Sequence, residues 1–411
     1  MQTNLSPEFK NSAEGLQAEA ILRQCVHCGF CTATCPTYQL LGDELDGPRG
    51  RIYLIKQVLE GEVPTRKTQL HLDRCLTCRN CETTCPSGVQ YGHLIDIGRK
   101  LVDARVPRPR AEKAVRWALK EGLPSALFAP AMAVGQALRG WLPTALKNKV
   151  PARQSAGAMP TSVYARKVLM LEGCVQPAMM PNINAATARV LDAVGVQVVV
   201  AKKAGCCGAV KFHLNDQDNA KDEMRRNIDA WWPHIEAGVE SIVMNASGCG
   251  SMVKDYGHAL RDDAQYAAKA EHISALTRDL SELLPDWVEA LRAKVSPLSG
   301  PIAFHPPCTL QHGQQLRGGV ETQLGALGFN VKAANCEAHL CCGSAGTYSV
   351  LQPKIAYALR DRKLGHLSHM KPQVIASANI GCITHLQSGT ATPVRHWIEV
   401  LDDALSAKVA V

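Results

Sequence analysis

Two copies of one cysteine motif constrain this chain more than any other feature. Both have the spacing CxxCxxCxxxCP, and they span residues 25–36 and 75–86. In paired [4Fe–4S] sites of this spacing, three close thiolates bind one cubane and the fourth cysteine, placed by the proline turn, reaches the other cluster. Zinc sites also use CxxC pairs, but usually two pairs separated by a longer spacer. The motifs therefore predict two [4Fe–4S] clusters in a ferredoxin-like domain.

The same spacing assigns the ligands of each cluster. We expect the first cluster to be held by Cys25, Cys28, Cys31 and Cys85. We expect the second to be held by Cys75, Cys78, Cys81 and Cys35. Because each motif lends one cysteine to the other cluster, the two clusters should lie close together, which suits electron relay. No catalytic residue is predicted.

A second cysteine pattern occurs twice in the C-terminal part of the chain. Each copy has a cysteine, a Cys-Cys-Gly turn and a further cysteine, and each of these follows a predicted strand. The first two cysteines are separated by 31 residues in one copy and 32 in the other. Alternating strands and helices predict two repeated α/β units with mostly parallel sheets. The cysteines should lie at the carboxyl ends of the strands, where open α/β sheets bind ligands.

These repeated cysteines are candidates for further metal or redox sites, because glycine lets adjacent thiols occupy a tight turn. The two sets are Cys174, Cys206, Cys207, Cys249 and Cys308, Cys341, Cys342, Cys382. Buried apolar cysteine is the alternative interpretation, and duplication of four positions in register favours a function. Some nearby histidines could be ligands or proton carriers, or ordinary hydrogen-bonded residues: His27, His305, His312 and His339. Cys336 lies outside the repeat.

Composition divides the chain into three stretches, and the repeat divides the last of them into two units. We predict a ferredoxin-like 2[4Fe–4S] domain at 1–100, a helical linker with basic and apolar stretches at 101–160, and cysteine-rich α/β units at 161–295 and 296–411. The fold class is thus a multidomain α+β and α/β protein with an α-helical N-terminal domain. The linker carries basic side chains together with Trp117, Phe128 and Trp141. It is either a solvated helix face or a surface that docks on anionic lipid or a partner subunit.

Several function classes are disfavoured. The formal charge of +8 falls to about +4 if each cluster with its four thiolates carries about −2, so a nucleic-acid partner is not expected. The polar N-terminus lacks the features of a secretory signal, and the longest uncharged run is broken by Pro124 and Pro130. We therefore expect a cytoplasmic protein without a transmembrane helix. No GxGxxG motif, P-loop or nucleophile elbow is present, so no flavin or nicotinamide site is expected.

The combination of motifs resembles the iron–sulfur subunits of 2-hydroxyacid dehydrogenases and the heterodisulfide reductase group, over nearly the whole chain. Several stretches are similar to one family in particular, the iron–sulfur subunits of bacterial glycolate oxidase, also called glycolate dehydrogenase. They include ILRQCVHCGFCTATCPTYQLLGDELDGPRGRIYLIKQVLEG, LDRCLTCRNCETTCPSGV, EGCVQP, NAATARVLD, AGCCGAV, NIDAWWP, HLCCGSAGTY and VRHWIE.

This resemblance implies a division of labour. Partner flavoprotein subunits holding FAD would oxidise glycolate to glyoxylate, or oxidise D-lactate, while this chain relays electrons to a membrane quinone or another acceptor. The chain would be a peripheral subunit at the cytoplasmic face of the inner membrane and inert toward glycolate by itself. Two alternatives are the iron–sulfur subunit of a lactate or glycerol-3-phosphate dehydrogenase, and a heterodisulfide-reductase-like catalyst that uses the C-terminal cysteines.

One departure from the heterodisulfide reductase pattern concerns the end of each repeat. The fuller pattern ends in CxxC, whereas Ala246 and Asn379 occupy the first of those positions here. Each unit therefore offers four cysteines instead of five. Four would still hold a cubane, but the departure weakens the expectation of disulfide-reducing clusters.

Overall fold

The N-terminal domain is built entirely from helices in the computed structural model, which describes residues 1–409. The helices are α1 (Ala13–Gln24), α2 (Phe30–Ala33), α3 (Pro36–Leu41), α4 (Pro48–Leu59), α5 (Arg66–Asp73), α6 (Asn80–Thr84) and α7 (Tyr91–Arg105), with a 3₁₀ turn at Glu44–Asp46. Proline opens α3 and α4, where its missing N–H is not needed. Apolar faces of α1, α4 and α7 form the core. The predicted α-helical ferredoxin-like domain is confirmed.

Three further helices follow: α8 (Arg110–Gly122), α9 (Phe128–Ala137) and α10 (Thr144–Lys147), with a 3₁₀ turn at Arg139–Trp141. Most of the side chains of α9 are exposed, although Met132 is buried. Some basic residues here have an internal role, since Arg108 and Arg116 are both paired with Asp73. Among the described helices, none combines the length and apolarity needed to cross a bilayer.

The first cysteine-rich unit is a four-stranded sheet covered by helices. Its elements in order are β1 (Lys167–Met170), α11 (Gln176–Met179), α12 (Asn182–Ala193), β2 (Gln197–Val199), α13 (Ala209–His213), α14 (Gln217–Glu236), β3 (Ile242–Met244), α15 (Ser247–Lys254), α16 (Tyr256–Ala259), α17 (Ala267–Leu276), β4 (Thr277–Asp279) and α18 (Leu280–Arg292). The strand order is β2-β1-β3-β4, with every pair parallel.

The second unit repeats this plan. Its elements are β5 (Ile302–His305), a π-helical turn (Thr309–Gly313), α19 (Gly319–Ala326), β6 (Val331–Ala333), α20 (Tyr348–Leu351), α21 (Pro353–Ser368), β7 (Val374–Ser377), α22 (Ile380–Gln387), β8 (Val394–His396) and α23 (Trp397–Val409). The order β6-β5-β7-β8 is again all parallel. The predicted parallel α/β repeat is confirmed. The fourth strands β4 and β8 were not predicted, because their sequences TRD and VRH contain charged residues and form no apolar run.

The two units pack against each other as a reciprocal pair. Helix α12 of the first unit contacts α23 of the second, and α19 of the second contacts α18 of the first. One apolar core contains residues of both units, including Val168, Ile183 and Ile302. At the carboxyl edge of the sheets, the Ser247 amide donates to the Ala378 carbonyl at 3.0 Å. The strand ends that carry the repeated cysteines therefore face a common region between the units.

Candidate metal centres

A first cavity in the N-terminal domain brings both cysteine motifs together. Its lining includes Cys25, Cys28 and Cys31 from the first motif and Cys81 and Cys85 from the second. Burial raises the pKa of the Cys31 thiol to about 11, so this sulfur needs a bound cation to be a thiolate at neutral pH. A metal cluster would supply that positive charge. The four predicted ligands of the first cluster thus line one cavity.

A second cavity holds the other predicted set. It is lined by Cys35 from the first motif and by Cys75, Cys78 and Cys81 from the second. Burial raises the pKa of Cys78 and Cys81 well above that of a free thiol. Since Cys81 lines both cavities, the two sites are immediate neighbours. Both donor sets fit the coordination chemistry of [4Fe–4S] clusters.

The loops around the cavities have the same unusual backbone. In each motif, the residues before and after the second cysteine adopt positive φ: His27 (56°) and Gly29 (86°) in the first, Thr77 (50°) and Arg79 (57°) in the second. Only one of these four is glycine, and the other three pay a steric cost in this region. The repeated strain indicates that the loop shape is required, because it turns three sulfurs toward one cavity.

A buried arginine lies beside the second cavity. Arg51 lines that cavity and is 1% exposed. Its Nε donates to the His71 carbonyl at 2.7 Å, and both Nη atoms lie 3.2 Å from Thr37 Oγ1, which is 3.3 Å from Cys35 Sγ. Burial favours the neutral form, but the surrounding sulfurs and Asp46 raise the pKa of Arg51 above its usual value, so it stays charged.

Arg51 was not predicted as a site residue from the sequence, although a signal was present. Helix α4 buries Ile55 and Val58, which lie four and seven residues after Arg51 on the same helical face. A charged residue on an apolar stripe is rarely buried without a specific partner. The partners here are the second cavity and Asp46, whose carboxylate lies 3.6 Å from the guanidinium.

The first cysteine-rich unit gathers its four cysteines around the Cys-Cys-Gly turn. Cys206 hydrogen-bonds with Cys174 and Cys207, and Cys207 with Cys249. Hydrogen bonds from the Cys174 and Cys207 thiols lower the pKa of Cys206. Gly208 has φ of 90°, and a Cβ there would approach the Ala220 carbonyl oxygen to 3.1 Å. Glycine is therefore required at the turn.

The second unit arranges its cysteines in the same way and places them next to the ferredoxin-like domain. The Sγ atoms of Cys308 and Cys341 are 3.8 Å apart, and Cys342 hydrogen-bonds with Cys382. Leu76, Cys308 and Cys341 belong to one buried apolar cluster, and Cys78 packs against it. The second cavity of the N-terminal domain therefore adjoins the cysteines of the second unit.

Polar contacts reinforce this junction between the domains. The Asn80 side chain donates to the His339 carbonyl at 3.4 Å, and Thr83 Oγ1 lies 2.9 Å from His312 Nδ1. The Tyr348 hydroxyl donates to the Arg74 carbonyl at 3.0 Å. Three separate points of attachment around the second cavity hold it against the second unit.

The histidines near the cysteines have different environments. Both ring nitrogens of His312 have protein partners, Thr83 and the His339 carbonyl. His27 lines the first cavity with its Nε2 unpartnered among the described residues. His305 lies with Cys342 and Cys382, and their ligand atoms are all within 4.8 Å of one another. Cys336 is exposed.

Comparisons with known proteins match domains to both cysteine-bearing regions of the chain. A 4Fe–4S dicluster domain matches residues 21–89, and a cysteine-rich domain matches residues 168–254 and 302–387. The glycolate oxidase iron–sulfur subunit of Escherichia coli (strain K12) is 56% identical over 407 residues, which is 98% of this chain and 99% of that protein. A probable glycolate oxidase iron–sulfur subunit of Bacillus subtilis (strain 168) is 28% identical over 93% of this chain and 92% of its own. Lactate utilization protein A of Geobacillus thermodenitrificans is 27% identical over 57% of this chain and 98% of its own.

A 4Fe–4S dicluster domain followed by two cysteine-rich domains defines the chain as an iron–sulfur protein of the electron-transfer class. Its similarity over nearly the full length of both chains then places it more narrowly. The chain belongs to the family of glycolate oxidase iron–sulfur subunits.

Proposed function

We propose that this chain is the electron-conducting subunit of a glycolate-oxidising complex. Partner flavoprotein subunits oxidise glycolate to glyoxylate, and the chain carries their electrons one at a time to a membrane quinone or another acceptor. The observation that carries the proposal is the pair of cysteine-lined cavities that share Cys81. The distant match to lactate utilization proteins, over 57% of the chain, gives less support to a lactate-specific complex.

The ligand sets proposed for the two clusters follow the spacing of the motifs. Cys25, Cys28, Cys31 and Cys85 hold the first, and Cys75, Cys78, Cys81 and Cys35 hold the second. The crossing of Cys85 and Cys35 into the opposite cavity supports this assignment. When bound, the clusters supply reversible one-electron storage, while the chain contributes the thiolates, the buried Arg51 charge and the exclusion of water.

We further propose that the cysteines of the C-terminal units bind metal centres and that the second unit continues the relay. Its Cys308 and Cys341 share an apolar cluster with Leu76, against which Cys78 packs. An electron on the second cluster would thus have a short, water-poor route into that unit. The cysteines of the first unit, Cys174, Cys206, Cys207 and Cys249, form the corresponding site of the other repeat.

The membrane contact of this complex is proposed to involve helices α8 to α10. Trp117 and Trp141 are 65% and 92% exposed, and Leu127 is 76% exposed. Arg110 and Lys113 are exposed on α8 nearby in sequence. Exposed aromatic and cationic side chains together favour the interface of an anionic membrane. A peripheral position at the cytoplasmic face of the inner membrane is consistent with these features.

Anaerobic mixing tests the relay. The purified chain with glycolate alone should keep its oxidised visible spectrum. Addition of the flavoprotein subunits should bleach the cluster absorbance within the turnover time of the complex. The matched control mixes the chain with the flavoprotein subunits but without glycolate, and its clusters should stay oxidised. Glycolate oxidation by the isolated chain, or clusters that stay oxidised in the complete mixture, would overturn the proposal.

Disulfide reduction is the alternative activity and has its own test. The isolated chain with a reductant and a mixed disulfide should show no turnover if the C-terminal cysteines only conduct electrons. Turnover that disappears in Cys341→Ser would assign catalysis to this chain instead.

A further inference from the structure

The second cysteine-rich unit contains a histidine whose position calls for a ligand. His305 ends strand β5 and is 0% exposed. Neither of its ring nitrogens has a hydrogen-bond partner among the described residues. Burying unpaired polar nitrogen is costly, and buried imidazole nearly always has a partner. A metal bond would remove that cost for one nitrogen.

Sulfur ligands lie beside this histidine. A ring nitrogen of His305 and the Sγ atoms of Cys342 and Cys382 are all within 4.8 Å of one another, and all three residues are buried. Thiolate and imidazole together suit zinc and iron–sulfur centres. Asn379, at the position where the fuller pattern has a fifth cysteine, offers only an amide 3.9 Å from Cys382 Sγ. His305 therefore supplies a donor that the sequence pattern lacks.

The first unit has no such donor at the equivalent position. His305 is three residues before Cys308, and Leu171 is three residues before Cys174. Strand register gives the same equivalence. Ile242 and Ile375 each lie seven residues before the last cysteine of their repeat, and they pair with Leu169 and Ala303. Leu171 and His305 each lie two residues after those partners. At this buried position, the first repeat thus has leucine and the second has histidine.

We propose that the second cysteine-rich unit binds an iron–sulfur centre with mixed ligands, in which a His305 nitrogen joins the thiolates of Cys342 and Cys382. This inference rests on the proposal that the C-terminal cysteines bind metal. The first unit has Leu171 at this position and so offers no imidazole there. Imidazole is a neutral donor and thiolate a charged one, so the centre is less negative, and its reduction potential higher, than it would be with cysteine at position 305.

The test begins with the anaerobically purified full chain. About eight irons per chain would mean that only the ferredoxin-like domain holds clusters. That result would overturn the mixed-ligand centre and the C-terminal relay, but not electron transfer from the flavoproteins, which the mixing experiment measures separately. With more than eight irons, pulsed EPR on reduced protein should detect a strongly coupled nitrogen. Labelling the histidines with ¹⁵N should convert that coupling to the ¹⁵N pattern without any mutation.

Variants then assign the nitrogen to one residue. His305→Leu gives the second unit the residue of the first and should abolish the strong nitrogen coupling. His305→Cys places a thiolate donor at this position. The centre should still form, and its reduction potential should be lower than in wild type. His312→Gln is the matched control: both nitrogens of this buried histidine have protein partners, so the coupling should remain.

Three results would overturn the proposal. They are a wild-type protein with extra iron but no strong nitrogen coupling, a coupling that survives in His305→Leu, and zinc in place of iron in the second unit. If His305→Leu does not fold, the ¹⁵N-histidine spectrum and the potential of His305→Cys still decide the outcome.

Discussion

Removing the positive charge of Arg51 should lower the reduction potential of one cluster and leave the other unchanged. Thr37 Oγ1 is 3.2 Å from the guanidinium and 3.3 Å from Cys35 Sγ, so the charge lies within about 6.5 Å of that sulfur. With an effective dielectric constant of about 20, unit charges at this distance interact by about 2.5 kcal/mol. For a one-electron couple this is about 110 mV. Because cluster charge is spread over many atoms, we expect a decrease of about 50–110 mV in Arg51→Gln.

The surrounding structure makes this substitution informative. In Arg51→Gln, the Asp46 carboxylate still has two partners, Arg74 at 2.7 Å and His71 at 3.0 Å. The substitution therefore leaves no unpaired buried charge. Arg51→Lys keeps the charge but loses the forked contact with Thr37, and its potential should fall by less than half as much. Arg49→Gln is the control at the first cavity, where the arginine is 37% exposed and paired with Glu44. Solvent screening should limit that shift to about 20 mV.

The assay is an EPR-monitored redox titration of anaerobically purified holoprotein, with iron content measured on each sample. The reasoning would be refuted if Arg51→Gln retained its full iron and both cluster potentials lay within about 20 mV of wild type. It would also fail if Arg51→Lys fell as far as Arg51→Gln, because the effect would then come from lost hydrogen bonds and not from charge.

Three further outcomes are expected. Cys78→Ser should lose or convert the second cluster, which would appear as lower iron content and a changed EPR spectrum. The control Cys336→Ser, at an exposed thiol, should retain both clusters. Full iron content and an unchanged spectrum in Cys78→Ser would contradict the ligand assignment. Burial and a stacked histidine lower the pKa of His258 to about 4. Because the unfolded chain then binds the proton more readily than the folded one, stability that is present above about pH 6.5 is lost toward pH 4. The thermal midpoint should therefore fall less between pH 7.5 and 5.5 in His258→Gln than in wild type, and an equal fall in both proteins would exclude His258 as the cause. Trp141→Ser should weaken cosedimentation with anionic vesicles, whereas Trp232→Ser, outside the linker helices, should not. An equal loss of vesicle binding in both variants would count against the proposed surface.

The parts of the fold that follow from local sequence were predictable. The Cys-Cys-Gly turns at Gly208 and Gly343 adopt φ of 90° and 89°, as expected for glycine in a strained turn. Strands β1, β3, β5 and β7 are buried apolar runs, which hydrophobic pattern detects. Strands β4 and β8 contain charged residues and form no apolar run, and their pairing with β3 and β7 depends on the sheet that is already formed.

The candidate sites divide in the same way. Spacing within each motif predicted the three cysteines that a loop of a few residues brings to each N-terminal cavity, and the fourth predicted ligand comes from the other motif. Arg51 and His305 were harder to interpret. A charged residue on an apolar helical face and a histidine at the end of a strand acquire a role only through neighbours distant in sequence, such as Cys35 for Arg51 and Cys382 for His305.

By itself, the sequence determined how the cysteines group into two paired motifs and two repeated sets, since cysteine spacing is a property of the chain alone. Only the tertiary structure decided which sites adjoin. Cys78 packs beside Cys308 and Cys341, more than two hundred residues away, while the equivalent cysteines of the first unit are absent from that cluster. Two repeats with the same local pattern cannot reveal which of them meets the ferredoxin-like domain, because that choice depends on how complete domain surfaces pack.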